Sequence, residues 1–221
     1  MRGTTREQIS PSPIDTMATT NPLLILISAP SGGGKTTLCE RLLRDRPGMS
    51  RAVTCTTRPP RPGERDGVDY YFLNAESFLK RLQAGNFLEH ATVYGHSYGT
   101  LKSEVLGRLR QGQDVLLNVD VQGAATIRQK AQEDPELGDA LVSIFLTPPS
   151  LAILEQRLRN RGTDSAATIQ KRLAVARQEI AQWKNFDYLV LSDSIAEDLR
   201  RALAIVESEK LRSRRCQAPE F

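Results

Sequence analysis

A glycine-rich loop with a lysine and two threonines follows the apolar run "LLILI" and suggests phosphate chemistry. The stretch "SAPSGGGKTTL" fits the pattern G-x4-G-K-[ST], except that Ala29 stands at its first glycine position. Glycines let successive backbone N–H groups curl around phosphate oxygens, while Lys35 supplies positive charge and Thr36 a hydroxyl ligand for Mg²⁺. We therefore expect a nucleotide polyphosphate site formed by Ala29, Pro30, Ser31, Gly32, Gly33, Gly34, Lys35, Thr36 and Thr37.

A second segment, "TTRPPRPGERDGVDYYF", could hold a second phosphate group. Arg58 and Arg61 flank Pro59-Pro60, and a residue before proline avoids helical backbone. Polyproline II geometry has about three residues per turn, which places both guanidinium groups on one side. Together with the Tyr70 hydroxyl they could clamp an anion. A charge run of this kind can equally be a solvated surface, and the pattern alone leaves both readings open.

A single carboxylate, Asp120, ends the apolar run "VLLNV". The carboxyl end of a parallel strand faces the ligand crevice of an open α/β sheet. Asp120 is therefore a candidate to orient Mg²⁺, directly or through water, together with Thr36. It can also cap the next helix, and the two roles are compatible.

The elements that must position these residues alternate between strands and helices. Short apolar runs separated by helical patterns predict parallel strands buried on both faces, hence an α/β doubly wound sheet. Residues 51–100 break this rhythm and predict an inserted lobe, with one helical stretch near 76–84. The apolar runs lie at 23–28, 114–120, 141–146 and 188–192, and the other helical patterns at 36–45, 102–111, 150–160, 166–183 and 195–212.

Composition narrows the class of protein. The 221 residues suit one domain, and a net charge of only +4 does not indicate a nucleic-acid surface. The three cysteines fit neither a disulfide framework nor a zinc pattern, and no apolar run reaches the ~20 residues of a membrane span. We expect a cytoplasmic protein with reduced thiols. We expect residues 1–21 to form a disordered tail, within which Met17 is an alternative start. The C-terminal stretch "SRRCQAPEF" is also expected to be frayed.

The chain resembles the guanylate kinases over residues 22–201. The family signatures occur in order: the phosphate loop, "TTRPPRPGERDGVDYYF", "FLEHATVYGHSYGT", "VDVQGA", "LTPPS" and "RLRNRGTDS". The resemblance implies a P-loop nucleoside monophosphate kinase fold with a parallel five-stranded core sheet and helices on both faces. It further implies an inserted GMP-binding lobe at about 51–101, a helical lid at about 149–182, and a C-terminal helix end and tail at 202–221.

The implied reaction is ATP + GMP giving ADP + GDP with Mg²⁺, which serves purine nucleotide recycling and GTP supply. The implied partners are ATP and GMP, without nucleic acid or membrane, for a monomer or homo-oligomer. Catalytic roles fall on Lys35, Arg58, Arg161 and Arg172, and metal roles on Thr36 and Asp120. GMP contacts fall on Thr54, Arg58, Arg61, Tyr70, Glu89, Tyr98, Thr100 and Asn118.

The chemistry of guanine supports the role of Glu89. Guanine presents N1–H and its exocyclic amine as adjacent donors, and one carboxylate can accept from both. Adenine presents an acceptor at N1, and such a buried polar mismatch costs ~1–3 kcal/mol. An exposed carboxylate before a turn is the alternative reading of Glu89.

Two residues depart from the family pattern. Asn118 stands where relatives carry an acidic residue, so it could pair with the guanine amine without bringing a negative charge. It could also be a strand-end residue that makes no base contact. Ser192 replaces an asparagine often found near the adenine, which weakens any expectation of an adenine contact there.

The lid carries an apolar stripe of Leu151, Leu154 and Leu158 and several arginines. Closing this hairpin over the phosphate loop would bring Arg161 and Arg172, and less strongly Arg157, to the transferring phosphoryl group. Positioned cations stabilise its loose transition state, although arginines on such helices are otherwise solvated.

Two alternative functions remain open at this level. Guanylate-kinase-like domains also serve as non-catalytic interaction modules, but these typically have degraded phosphate loops, whereas Lys35 and Thr36 are present here. A related kinase acting on a ribose bisphosphate would lack the guanine-reading set at Glu89 and Tyr98.

Overall fold

The core of the protein is a parallel five-stranded sheet, seen in a computed structural model that describes residues 20–93, 95–160, 162 and 164–216. Its strand order is β2-β7-β1-β8-β9, so the chain crosses over between neighbouring strands. This confirms the predicted α/β fold. The strands are β1 Leu24–Ser28, β2 Met49–Arg51, β7 Asp114–Asn118, β8 Leu141–Thr147 and β9 Tyr188–Leu191.

Four of these strands coincide with the apolar runs, and the fifth does not. Strand β1 is buried along its whole length between β7 and β8, as expected for a central strand covered on both faces. Strand β2 has three residues, of which only Met49 is buried, so it has no apolar run to reveal it. It lies at the predicted start of the inserted lobe, but it pairs with β7 and so belongs to the core sheet.

Helices cover both faces of this sheet. One face packs against α1 (Lys35–Asp45) and α8 (Ile195–Lys210), and the other against α3 (Lys102–Arg110), α4 (Val121–Glu133) and α5 (Pro135–Ala140). The apolar pattern does not predict α4 and α5, because the buried sides of these helices are made largely of alanine and glycine. Small residues allow a close approach to the sheet but give little hydrophobic signal.

A second sheet of four strands forms a lobe with its own core. The helix α2 (Ala75–Gln83) packs on it through Phe78, which stacks on Phe87 at a ring-centroid distance of 4.4 Å. The strands, in the order β4-β3-β6-β5, are β3 Thr54–Thr56, β4 Tyr71–Phe72, β5 Phe87–Val93 and β6 His96–Leu101.

Two further helices, α6 (Leu151–Asn160) and α7 (Ala166–Ile180), form a hairpin with a separate small core. Leu154 and Leu158 of α6 belong to that core and also approach the phosphate loop. A Cβ atom added at Gly32 would lie 2.8 Å from Leu158 Cδ2. The hairpin therefore lies against the loop, and a Cβ atom at position 32 would require the Leu158 side chain to shift.

The C-terminal segment is ordered where the sequence predicts fraying. Ser213–Arg215 form a short 3₁₀ helix, and Arg215 is only 2% exposed, paired with Glu209. Cys216 forms an isolated bridge with Thr20, which also ties residue 20 of the predicted N-terminal tail to the domain. Residues 1–19, including Met17, and 217–221 lie outside the described residues. None of the helices that the structure describes is long and apolar enough to cross a bilayer.

Candidate active site

The glycine-rich loop connects β1 to α1 and turns sharply at its glycines. Gly32 and Gly34 have φ values of +88° and +97°, a left-handed conformation that residues with a Cβ atom rarely adopt. The Gly33 N–H donates to the Pro30 carbonyl oxygen at 2.8 Å, which closes the turn. The loop lines a cavity of about 290 Å³, called the donor cavity here, with all nine predicted residues from Ala29 to Thr37 together with Asp120 and Glu179.

Lys35, the first residue of α1, reaches across to the core sheet. Its Nζ donates to the Val119 carbonyl oxygen at 2.8 Å, just beyond the end of β7. Burial lowers the pKa of Lys35, and the carboxylate of Asp120 acts in the opposite direction. The ammonium group is thus held between the phosphate loop and the end of β7.

Asp120 belongs to two cavities at once. It lines the donor cavity and also a second cavity of about 300 Å³, called the acceptor cavity here. Its Oδ1 accepts from the Gly123 N–H at 2.8 Å, so it caps α4 as the sequence allowed. Thr36 is exposed and lines the donor cavity, so a hydroxyl and a carboxylate oxygen face the same space. The described residues contain no group of three His, Cys, Asp or Glu side chains that could hold a metal.

Glu179, near the end of α7, also faces the donor cavity, and nothing in the sequence identifies it. Its Oε2 accepts from the Ser31 N–H at 3.4 Å across a separation of 148 residues. Burial raises the pKa of Glu179, whereas the Ser31 hydrogen bond and the charge of Lys35 lower it. A carboxylate from the hairpin thus contacts a backbone donor of the phosphate loop.

The acceptor cavity lies between the core sheet and the lobe. Six of the eight predicted GMP-binding residues line it, together with Arg51, which sequence patterns did not identify. The lining includes two tyrosines of the lobe as well as Glu89. The six predicted residues are Thr54, Tyr70, Glu89, Tyr98, Thr100 and Asn118.

Glu89 reaches this cavity because β5 is irregular. The pairing with β6 shifts between Phe87 and Glu89, so one extra residue bulges and the side chain at 89 is directed inward. Glu89 is 8% exposed, and its Oε1 accepts from the Thr100 N–H at 3.1 Å and the Thr100 hydroxyl at 2.7 Å. Burial raises the pKa of Glu89, opposed by the Thr100 hydroxyl, and the charge of Asp120 raises it further.

The two predicted phosphate arginines are not among the residues that line the cavity. Arg58 Nη2 donates to both carboxylate oxygens of Glu64, at 2.8 and 2.9 Å, and its guanidinium lies 5.4 Å from the centre of the Tyr70 ring. The Arg61 backbone N–H donates to the same Glu64 at 2.8 Å, and its side chain is exposed. Glu64 therefore holds the loop together, while Arg58 backs a tyrosine that does line the cavity.

The arginines of the helical hairpin have separate partners. Arg157 donates to the Ser192 hydroxyl at 2.9 Å and to the Asp193 carbonyl oxygen at 3.1 Å. Arg172 pairs with Asp164 at 3.3 Å. Arg161 lies outside the described residues. Ser192 is buried and donates to Asp198 at 2.7 Å, so it links Arg157 to the start of α8.

Comparison with known proteins finds guanylate kinases both by sequence and by structure. The profile described as "Guanylate kinase" matches residues 21–209 of the chain. A guanylate kinase of Hahella chejuensis is 45% identical over 189 residues, covering 86% of this chain and 88% of the relative. That of Maricaulis maris is 42% identical over 190 residues, covering 86% and 84%. A crystal structure of guanylate kinase from Anaplasma phagocytophilum matches with a TM-score of 0.68 at 29% identity, covering 91% and 93%.

Proposed function

Because the chain belongs to the guanylate kinase family, we propose that it transfers the γ-phosphoryl group of ATP to GMP across the two cavities described above. The observation that carries this proposal is that Asp120 lines both cavities, so that the two substrates would meet beside it. The products are ADP and GDP. The chain thereby recycles GMP toward GTP.

The donor cavity suits the phosphates of ATP. Backbone N–H groups of the glycine-rich loop and the first turn of α1 would surround the β- and γ-phosphates, where a helix N-terminus favours negative charge. The Lys35 ammonium would follow the migrating charge, since it already bridges the loop and Val119. For this binding, Glu179 must withdraw from Ser31, because a carboxylate and a phosphate would compete for one donor.

The acceptor cavity suits GMP with the guanine at Glu89. One oxygen of Glu89 accepts from Thr100. The other has no hydrogen bond to any described residue and would accept from guanine N1–H and the exocyclic amine. Thr54 and Asn118 would complete the base contacts, and Tyr70 and Tyr98 the phosphate end. Arg58 would exchange Glu64 for the GMP phosphate, and Arg61 would turn inward from its exposed position.

The helical hairpin would act as the lid over the transferring group. Arg172 and Arg161 are proposed to approach the phosphoryl group on closure, with Arg172 leaving Asp164. The acceptor phosphate is already ionised, so no general base is needed, and the arginines act by stabilising spread negative charge. Arg157 is excluded from this role in our proposal, because it connects α6 to Ser192 and Asp193.

The donor atoms present in the donor cavity fit a magnesium ion. Mg²⁺ prefers oxygen ligands, keeps several waters and takes only one or two protein ligands beside substrate phosphates. The Thr36 hydroxyl and the second carboxylate oxygen of Asp120, whose Oδ1 caps α4, provide such a set. When bound, the ion would neutralise phosphate charge and orient the phosphate chain of ATP.

A substrate panel tests the function directly. Release of ADP from ATP is measured with GMP, dGMP, AMP or IMP as acceptor, each with and without Mg²⁺. We expect turnover with GMP far above that with AMP, and none without the metal ion. Equal rates with AMP and GMP, or ADP release that does not depend on an acceptor, would contradict the proposal.

A further inference from the structure

The acceptor cavity contains one cationic side chain whose role nothing above explains. Arg51 is the last residue of β2 and lines the cavity together with Tyr70 and Asn118. Among the described residues that line this cavity, it is the one with a positive charge. Its position follows from the short, polar strand that sequence patterns miss.

The side chain of Arg51 starts on the α1 side of the core sheet. Residues two apart in a strand share a face, and Met49 is buried on that face together with Cys39 of α1. Burial raises the pKa of Cys39 to about 12, and the charges of Lys35 and Arg51 both act in the opposite direction. Arg51 therefore lies between the helix that begins with Lys35 and the acceptor cavity.

The guanidinium group of Arg51 has unused hydrogen-bonding capacity. Its Nη2 donates to the Asp69 carbonyl oxygen at 2.9 Å, immediately before Tyr70. A guanidinium group has five N–H donors, so this bond leaves others for a ligand. Within the described part of the chain, no carboxylate oxygen lies within 4.0 Å of Arg51, whereas Arg58 is paired with Glu64.

We propose that Arg51 is an additional ligand of the acceptor phosphate and donates to the anionic end of GMP. The bond to Asp69 holds its fork beside Tyr70, at the end of the cavity where the phosphate is expected. Planar guanidinium forks match phosphate oxygens geometrically and bind them with charge-assisted hydrogen bonds. The inference rests on the proposed function, because it takes GMP as the acceptor.

Binding of GMP and of guanosine to Arg51 variants tests this inference. Arg51→Gln and Arg51→Lys are compared with the wild type and with Arg41→Gln, which removes an exposed arginine of α1 outside the cavity. We expect Arg51→Gln to raise the dissociation constant of GMP about tenfold and to leave that of guanosine unchanged. Arg51→Lys should recover part of the loss, and the KM for ATP should stay constant in both variants.

Each other result overturns the inference. Equal weakening of GMP and guanosine would assign Arg51 to holding the lobe against β2 rather than to binding phosphate. Unchanged GMP binding would exclude any contact with the nucleotide. If the wild type still phosphorylates GMP in the same preparation, either result contradicts only the role of Arg51. If the wild type does not phosphorylate GMP, the proposed function is contradicted as well.

Discussion

The ammonium group of Lys35 donates to the carbonyl oxygen of Val119 at 2.8 Å and so connects the phosphate loop to the strand end that leads into Asp120. The two residues are separated by 84 positions in the chain. This contact places a positive charge at the boundary between the donor and acceptor cavities.

Removing the Lys35 charge should abolish most of the activity. In Lys35→Met we expect kcat to fall at least about a hundredfold, because a positioned cation is lost where charge develops in the transition state. Steady-state ADP release with saturating ATP and GMP measures this. Lys171→Met, an exposed lysine of α7, is the matched control. Wild-type kcat in a folded Lys35→Met variant would contradict the role.

Glu89 should determine the choice of base. In Glu89→Gln we expect the KM for GMP to rise about ten- to a hundredfold, since the single amide oxygen cannot accept from both Thr100 and guanine, and the amide NH₂ would face a donor on one side. The KM for ATP should not change. A smaller effect on GMP than on AMP in the same variant would show that Glu89 does not recognise guanine.

The same residue should make GMP binding depend on pH. Burial raises the pKa of Glu89 above its ordinary value of 4.5, so the folded chain holds this proton more tightly than the unfolded chain. Its contribution to stability is thus greatest at low pH and is lost as pH rises through the folded pKa. Guanine needs the ionised form, so the KM for GMP should rise as pH falls toward the raised pKa of Glu89. The phosphate of GMP also takes up a proton at pH ~6, so the KM for GMP in Glu89→Gln should keep only that part of the rise.

An acidic residue at position 118 should improve recognition of guanine. Asn118 is exposed at the end of β7 and lines the acceptor cavity with Glu89. Asn118→Asp adds a negative charge near the guanine amine, so we expect a lower KM for GMP and a larger preference for GMP over IMP. Asn118→Ala serves as the comparison. Constants that are the same in all three proteins would mean that this side chain makes no base contact.

Neutralising Glu179 should improve ATP binding. Its carboxylate accepts from Ser31 and lies near Lys35, in the space proposed for phosphate. In Glu179→Gln we expect the KM for ATP to fall several-fold, because like-charge repulsion is removed, with the KM for GMP unchanged. Glu155→Gln, on the other hairpin helix, is the control. A higher KM for ATP in Glu179→Gln would indicate a binding role instead.

Arg215 should stabilise the folded domain through its buried ion pair. It is 2% exposed, pairs with Glu209 and donates to the Asp139 carbonyl oxygen at 3.0 Å. Leaving a buried charge without its partner costs about 3–5 kcal/mol, but Glu209 also pairs with Arg212 at 2.9 Å, so Arg215→Met should lose less than this and unfold at a moderately lower denaturant concentration. Arg214→Met, its exposed neighbour, should behave like the wild type.

The sequence alone determined the features that depend on residues close together in the chain. The glycine-rich loop is recognisable because glycine, lysine and threonine at fixed spacing act together within one turn, and long apolar runs mark four of the core strands. Asp120 caps its helix through a residue only three positions away, as the local pattern permits. Family signatures extended this to the expected GMP contacts.

Only the tertiary structure decided which distant residues meet. Arg51 and Glu179 reach the two cavities through strand order and hairpin packing, and neither has a local motif. Arg157 donates to Ser192 and Arg58 donates to Glu64. From the sequence, both arginines are candidates to bind phosphate. The physical reason is that apolar residues repeat with the period of a helix or strand, whereas charged residues do not. The direction of an arginine side chain therefore depends on the partners that folding brings within hydrogen-bond distance.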